Sequence, residues 1–297
     1  MVIKEQINVS DERLLDGLTP VVRIMSRVEG LSPGEPVTID FSDANFISPV
    51  CVLSMIVYLK GCGRKVSLFN VPDYLATIGI ISGGIKPDRM RHTEFLATME
   101  KYSSKTYIPI INYAAGRHED DKDAISSIVE NIIIRQVDIQ RNVATGFKYM
   151  IEETLDNITE HSESERGYIF AQAYPRKRYL DICLADCGVT LLGSYCKLPD
   201  NEIVTDLEAI KAANRGISSK NLPEAENRGY GIQTSKRMLV EGLGGQYLMI
   251  SGSSLYTKRP GFDSFYSMPN NLRIGGTIVA LRIPYDSSKF NYINYVE

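Results

Sequence analysis

Three polar residues at helical spacing give the clearest chemical pattern in this sequence. Glu153, Asn157 and His161 recur every fourth residue, so on a helix they share one face, while the apolar residues of 151–158 lie on another. A carboxylate one turn before an amide can orient or deprotonate a water or a hydroxyl, and the amide oxygen can bind Mg²⁺ on a nucleotide. A solvated helix face has the same spacing, so this helix alone leaves both interpretations open.

A second acid follows an alternating run of residues. The run 179–185 predicts a strand, which delivers Asp186 and Gly188 into a loop. A carboxylate in that position could recognise a nucleotide base.

Two glycine clusters come later in the chain. Gly229 and Gly231 precede a helical pattern, so backbone amides and a helix N-terminus could bind phosphates there. Gly276 and Thr277 open an apolar run over 278–283 that predicts a buried strand. Either cluster alone is typical of an ordinary turn.

In this order the four pieces resemble the GHKL family, the ATP-binding fold of gyrase, the mismatch-repair protein MutL and the histidine-kinase catalytic domain. The matching residues are Glu153-x-x-x-Asn157 for the N box, Asp186-x-Gly188 for the G1 box, Gly229-x-Gly231 for the G2 box and Gly276-Thr277 for the late Gly-Thr. The resemblance covers residues 120–297. It departs from the family at Thr190, where the G1 box usually has a second glycine, so we expect a different local turn there.

The resemblance implies a role for each matching residue. Glu153 would be the general base, Asn157 the Mg²⁺ ligand, and Asp186 the acceptor for the adenine amino group, with Thr277 hydrogen-bonding nearby. The remaining nucleotide-binding residues would be Gly188, Gly229 and Gly231, where the backbone can approach the ligand closely, together with Ile232.

The resemblance also implies an ATP lid over residues 191–227. Lys220 and Arg228 would then be candidates for contact with the γ-phosphate. For Lys220, an exposed charge without a ligand is an equal alternative.

The first third of the chain has a different pattern. A strand pattern over 36–41, a helical pattern over 50–60 and a second strand pattern over 65–70 predict a βαβ unit with a parallel strand pair. This region resembles a STAS domain, the fold of anti-sigma-factor antagonists. Ser48 is the only hydroxyl at the turn before the helix, and it could cap the helix or be phosphorylated, with capping favoured.

The sequence therefore predicts an α/β and α+β two-domain protein. Residues 1–110 would form a STAS-like mixed sheet with helices, residues 111–122 a linker, and residues 123–297 a GHKL, or Bergerat, α/β sandwich. Residues 79–110 mix glycine, proline and charge and are predicted to be irregular. An amphipathic helix is predicted over 123–137.

Composition limits the classes of partner and compartment. The net charge of −3 argues against a dedicated nucleic-acid surface. No apolar stretch approaches the ~20 residues that cross a bilayer, and the N-terminal residues lack a signal-peptide core. The five irregularly spaced cysteines fit reduced thiols. We expect a cytoplasmic protein.

These patterns lead to two functional hypotheses from different classes. The first is a Mg-ATP-dependent regulatory enzyme, an ATPase or protein kinase that acts like a serine kinase in a bacterial partner switch. The second is an interaction module without catalysis, in which ATP orders the lid and controls partner binding. Both require ATP, Mg²⁺ and a regulatory protein partner, and both leave a homo-oligomer open.

Overall fold

The computed structural model of this chain describes residues 1–4, 13–44, 47–115, 119–137, 139–219, 231–285 and 290–295. Two β-sheets and the helices packed on them form a mixed α/β architecture. The smaller sheet has three parallel strands, and the larger has seven antiparallel strands.

The smaller sheet contains the βαβ unit that the sequence predicts. Its strands lie side by side in chain order: β1 (Val2–Lys4), β2 (Val37–Asp40) and β3 (Val66–Phe69). Helix α1 (Thr19–Glu29) lies between β1 and β2 in the chain, and α2 (Pro49–Gly61) joins β2 to β3. The predicted parallel pair is confirmed. The sheet was expected to be mixed, but the described strands pair only in parallel, because a helical crossover returns the chain to the same end of the sheet.

Helix α2 begins where the sequence predicts, at a serine followed by a proline. The Oγ of Ser48 accepts a hydrogen bond from the backbone N–H of Cys51, and Pro49 occupies the first turn, where its missing N–H is not needed. Ser48 is buried, which favours its role as a cap over phosphorylation. Nine of the 13 residues of α2 are buried. A helix that is apolar on all sides belongs inside a protein core, and α2 lies against the larger sheet.

The larger sheet has the strand order β4-β5-β6-β10-β7-β8-β9, in which the labels follow the chain. Its strands are β4 (Tyr107–Ala114), β5 (Arg166–Tyr174), β6 (Tyr179–Asp186), β7 (Gln246–Gly252), β8 (Ser254–Arg259), β9 (Phe262–Ser267) and β10 (Ile274–Pro284). The C-terminal strand β10 therefore lies in the middle of the sheet, between β6 and β7.

The remaining helices are α3 (Asp73–Thr77), α4 (His92–Glu100), α5 (Glu119–Val137), α6 (Arg141–His161), α7 (Leu191–Tyr195), α8 (Asp206–Asn214) and α9 (Gly231–Arg237). A π-helical turn, Met238–Gly242, continues α9. The amphipathic helix predicted over 123–137 is confirmed as part of α5. Helices α5, α6 and α9 pack on one face of the larger sheet, and α2 packs on the other.

Alternate residues of the central strands supply two separate cores. On β6, Leu184 belongs to the core under α6, whereas its neighbours Cys183 and Ala185 belong to the core shared with α2. Because successive strand residues point to opposite faces, this sheet is buried on both sides. The N-terminal and C-terminal parts of the chain therefore share one continuous apolar core.

The region between the two sheets differs from the sequence prediction. Residues 79–110 include helix α4 and the beginning of strand β4, although an irregular segment was predicted. Residues 111–114 of the predicted linker are also part of β4 and pair with β5. Pro109 interrupts the alternation of this edge strand and shifts its register between Ile108 and Ile111, so a period-of-two pattern is hard to detect in the sequence.

Candidate functional site

A cleft of about 1050 Å³ lies between α6 and the larger sheet. Its floor is a row of apolar side chains on three adjacent strands. Leu184 of β6 is opposite Val279 of β10, which is opposite Met249 of β7. A flat apolar floor of this kind suits a planar aromatic ligand, since burial of its faces removes apolar surface from water.

Asp186 follows Leu184 by two residues on β6, so its side chain points to the same face of the sheet as this apolar row. Its Oδ1 accepts a 2.8 Å hydrogen bond from the backbone N–H of Gly188, and its Oδ2 accepts a 3.2 Å bond from the N–H of Thr277. Only 1 % of the residue is exposed, and burial raises the pKa of this carboxyl to about 7 although the two N–H donors lower it. Each carboxyl oxygen has a second lone pair, so Asp186 can still accept from a ligand amino group.

Thr277 is held beside Asp186 by a side-chain network. Its Oγ1 lies 3.0 Å from the Oγ of Ser251, which accepts a hydrogen bond from the backbone N–H of Leu191. The predicted association of Asp186 with Thr277 is therefore present in the fold. Ser251 was not predicted as a site residue, because its contact depends on how β7 pairs with β10.

The loop after β6 contacts the end of α6. A Cβ added to Gly188 would lie 1.8 Å from the carbonyl oxygen of Ser162, and the next residue, Val189, donates a 2.6 Å hydrogen bond to that oxygen. Gly188 is thus required by contact with the protein itself. Thr190 does not disturb the turn, since its φ of −72° is ordinary and its side chain caps α7 by accepting from the N–H of Gly193.

The polar face of α6 forms one wall of the cleft. Glu153, Asn157 and His161 all line it, as their spacing predicts. The Nδ2 of Asn157 donates to the backbone carbonyl of Glu153, 2.6 Å away, which directs its Oδ1 away from the helix backbone. An amide oxygen in this position is a suitable ligand for Mg²⁺.

Glu153 is a residue of α6, and its carboxylate lies against the first residue of α9. Burial raises the pKa of its carboxyl, Asp156 and Glu160 raise it further by repulsion, and a hydrogen bond with Tyr149 lowers it. A Cβ added to Gly231 would lie 1.7 Å from Oε2 of Glu153, so a larger residue at this first position of α9 would displace the carboxylate. A partly buried carboxylate with a raised pKa is suited to accept a proton.

Tyr149 is a site residue that was not predicted. It lines the cleft one helical turn before Glu153 and also hydrogen-bonds with Thr234 of α9. Burial is the largest cause that raises the pKa of Tyr149, to about 12, so its hydroxyl stays a donor at neutral pH. Its position four residues before Glu153 is the signal that could have identified it.

The cleft lining carries a concentration of acidic groups, Glu153, Asp156, Glu160 and Asp186. Arg237 adds a positive charge to the same lining. A triphosphate would be repelled by so many carboxylates unless a divalent cation accompanied it. Among the described residues, no group of three or more His, Cys, Asp or Glu could hold a metal by itself.

The structure brings most of the predicted site together. Glu153, Asn157, Asp186, Gly231, Ile232 and Thr277 line the cleft, and Gly188 supports its rim. Lys220, Arg228 and Gly229 lie outside the described residues, as does 220–227 of the predicted lid. The described part of that lid contains α7 and α8.

Comparisons with known proteins add no family to these observations. No protein-family model matches the chain, and no curated protein is significantly similar to it. Within the ranges that the structure describes, no helix is long and apolar enough to cross a membrane.

Proposed function

We propose that this chain binds Mg-ATP in the cleft between α6 and the larger sheet, as a regulatory protein of the GHKL type. The observation that carries the proposal is convergence: Glu153 of α6, Asp186 of β6 and Thr277 of β10 come from distant parts of the sequence and line one cleft. The order of these residues is that of the GHKL boxes.

Each part of the cleft suits one part of the nucleotide. The apolar row on the sheet would contact the adenine ring, and Asp186 would accept a hydrogen bond from its amino group. Asn157 would bind Mg²⁺, which supplies charge neutralisation at the phosphates. In this proposal the base would lie at the sheet and the phosphates along α6.

Glu153 favours an enzyme over a binding module without catalysis. Its carboxylate is held between Tyr149 and Gly231, and its pKa is raised, so it can take a proton from a water or hydroxyl that attacks the γ-phosphate. The proposed reaction is hydrolysis of ATP or transfer of its γ-phosphoryl group to a protein partner. A lid that responds to ATP without turnover is the second candidate, and Thr190 gives it no specific support because its turn is unstrained.

Thermal unfolding with and without Mg-ATP tests nucleotide binding. A ligand at a hundredfold excess over its Kd stabilises a protein by ~2.7 kcal/mol, so we expect the melting temperature of the wild type to rise by a few degrees. Asp186→Asn and Asn157→Ala should lose this rise. Asp200→Asn, an exposed acid outside the cleft lining, is the matched control and should keep it.

Steady-state phosphate release then separates the two candidate functions. We expect turnover in the wild type and a loss of about 100-fold or more in Glu153→Gln, which preserves size while removing the base. Stoichiometric binding with no turnover in the wild type would instead support the interaction module. If Mg-ATP leaves the melting temperature of the wild type unchanged, both candidate functions are refuted.

A further inference from the structure

Three side chains in the cleft wall form a hydrogen-bonded series that the proposed function does not use. The Oγ of Ser219 lies 3.0 Å from Nδ1 of His161 and 3.0 Å from the Oγ of Ser194. All three residues line the cleft. A serine hydroxyl within hydrogen-bond reach of an imidazole is the arrangement by which enzymes activate serine as a nucleophile.

The position of His161 links this series to the expected phosphates. His161 follows Asn157 by four residues on α6, which is ~6 Å along the helix axis. Phosphates bound through Mg²⁺ at Asn157 would therefore lie within about one helical turn of Ser219 and its imidazole partner. This step rests on the proposed function, because it needs ATP in the cleft.

We propose that Ser219 is an autophosphorylation site. In the step, Oγ of Ser219 forms a bond to the γ-phosphorus of ATP, and the bond from that phosphorus to the β,γ-bridging oxygen breaks. ADP leaves, and the hydroxyl proton passes to Nδ1 of His161. The reaction requires the tautomer of His161 whose Nδ1 accepts from the Ser219 hydroxyl, and the contact with Ser194 then holds the attacking oxygen from its other side.

The charge of the cleft predicts that phosphorylation of Ser219 lowers the affinity of the site for ATP. A phosphoserine carries about −1.5 to −2 charges at pH 7. It would stand in a cleft already lined by the acids Glu153, Asp156, Glu160 and Asp186. Like-charge repulsion would then weaken the binding of the next ATP, so phosphorylation would slow the turnover of the proposed function without stopping it.

The test incubates the full chain with Mg-ATP labelled at the γ-phosphate and measures acid-stable label on the protein. The wild type should incorporate up to one phosphate per chain, located on Ser219 by peptide mass spectrometry. Ser219→Ala should incorporate none, whereas the control Ser104→Ala, which removes the hydroxyl of an exposed serine outside the cleft lining, should label normally. His161→Gln should slow labelling by about 100-fold or more, as removal of a general base does.

Other outcomes overturn the inference. Acid-labile label on His161, or acid-stable label on another residue, would refute Ser219 as the acceptor even if Ser219→Ala failed to fold. The same samples are melted with Mg-ATP, so a wild type that is stabilised by ATP but takes up no label would refute autophosphorylation and leave the proposed function standing. A wild type that neither binds ATP nor incorporates label would refute both autophosphorylation and the proposed function. Phosphorylated wild type should show a smaller ATP-induced rise in melting temperature than untreated protein.

Discussion

At the scale of single residues, Asp186 is the buried acid of the cleft. Its carboxyl is buried at the end of β6 and is held by two backbone N–H groups. Two donors reduce the penalty of burying the charge but do not remove it, so the pKa is raised to about 7. The carboxyl can therefore respond to a ligand at neutral pH, because an amino group that donates to it favours the ionised form.

This pKa predicts how stability depends on pH. Between the ordinary value of 3.8 and about 7, the unfolded chain ionises Asp186 while the folded chain keeps it protonated. The folded state therefore loses stability as pH rises through this interval and levels off above about pH 7. Relative to Asp186→Asn, the wild type should lose about 3 kcal/mol of unfolding free energy between pH 5 and pH 8.

Urea unfolding of both proteins at several pH values measures the difference. Subtraction of the Asp186→Asn curve removes the contribution of all other titrating groups that the two proteins share. Parallel curves would show that Asp186 ionises in the folded chain as it does in the unfolded one. A relative gain with rising pH would mean that the N–H donors outweigh burial.

The sequence identified residues whose chemistry is local and missed those whose contacts are long-range. Glu153, Asn157 and His161 could be predicted because one helix fixes their spacing. Tyr149 lies one turn before Glu153 on α6, a spacing that the sequence does contain, but its contact with Thr234 of α9 is long-range, as is that of Ser219 with His161.

At the scale of elements, the close approach of α9 to α6 fixes the position of Glu153. Gly231 was predicted to admit the nucleotide, but its missing Cβ already leaves room for the carboxylate of Glu153. Gly188 similarly leaves room for the end of α6. At both glycines the missing Cβ lets two elements of the protein approach each other closely. The main effect of these residues is therefore on the shape of the cleft.

Gly231→Ala should therefore damage catalysis more than nucleotide binding. The new methyl group would overlap Oε2 of Glu153 and force the end of that side chain to rotate away, which costs about 0.5–1.5 kcal/mol of stability and moves the carboxylate. We expect phosphate release to fall strongly while an ATP-induced rise in melting temperature persists, since Asp186 and Asn157 are unchanged.

Gly275→Ala is the matched control, because a Cβ there meets no atom within 4 Å. This variant should retain both turnover and binding. If Gly231→Ala keeps full turnover, the contact between α9 and Glu153 is not needed for the reaction. Loss of ATP binding in Gly231→Ala alone would place this glycine at the nucleotide after all.

Helices and strands could be predicted from the sequence wherever the apolar residues of a segment keep one regular spacing. Strands β2 and β6 and helix α2 have clear alternation or helical spacing, and each occurs close to its predicted bounds. Strand β4 was missed because Pro109 breaks its alternation, and its eight residues are mostly buried, so they read as an apolar run.

At the scale of the whole molecule, helix α2 joins the two sheets into one structure. The sequence predicts two domains with separate cores, and its βαβ pattern is confirmed in the smaller sheet. The packing of α2 on β5, β6 and β10 is a tertiary contact that the patterns do not contain. Its apolar character on all sides is the one local sign that it lies between two layers.

This shared core predicts cooperative unfolding. Leu53 of α2 is fully buried, and Leu53→Ala should destabilise the chain by about 2–5 kcal/mol through lost apolar contact and a cavity. Because the same core contains residues of the larger sheet, calorimetry should show one transition that moves as a whole to lower temperature. Leu96→Ala, at a leucine that is 43 % exposed, is the control and should change stability by less than about 0.5 kcal/mol. Two transitions, of which only one moves in Leu53→Ala, would instead establish that the N-terminal sheet folds independently of the larger sheet.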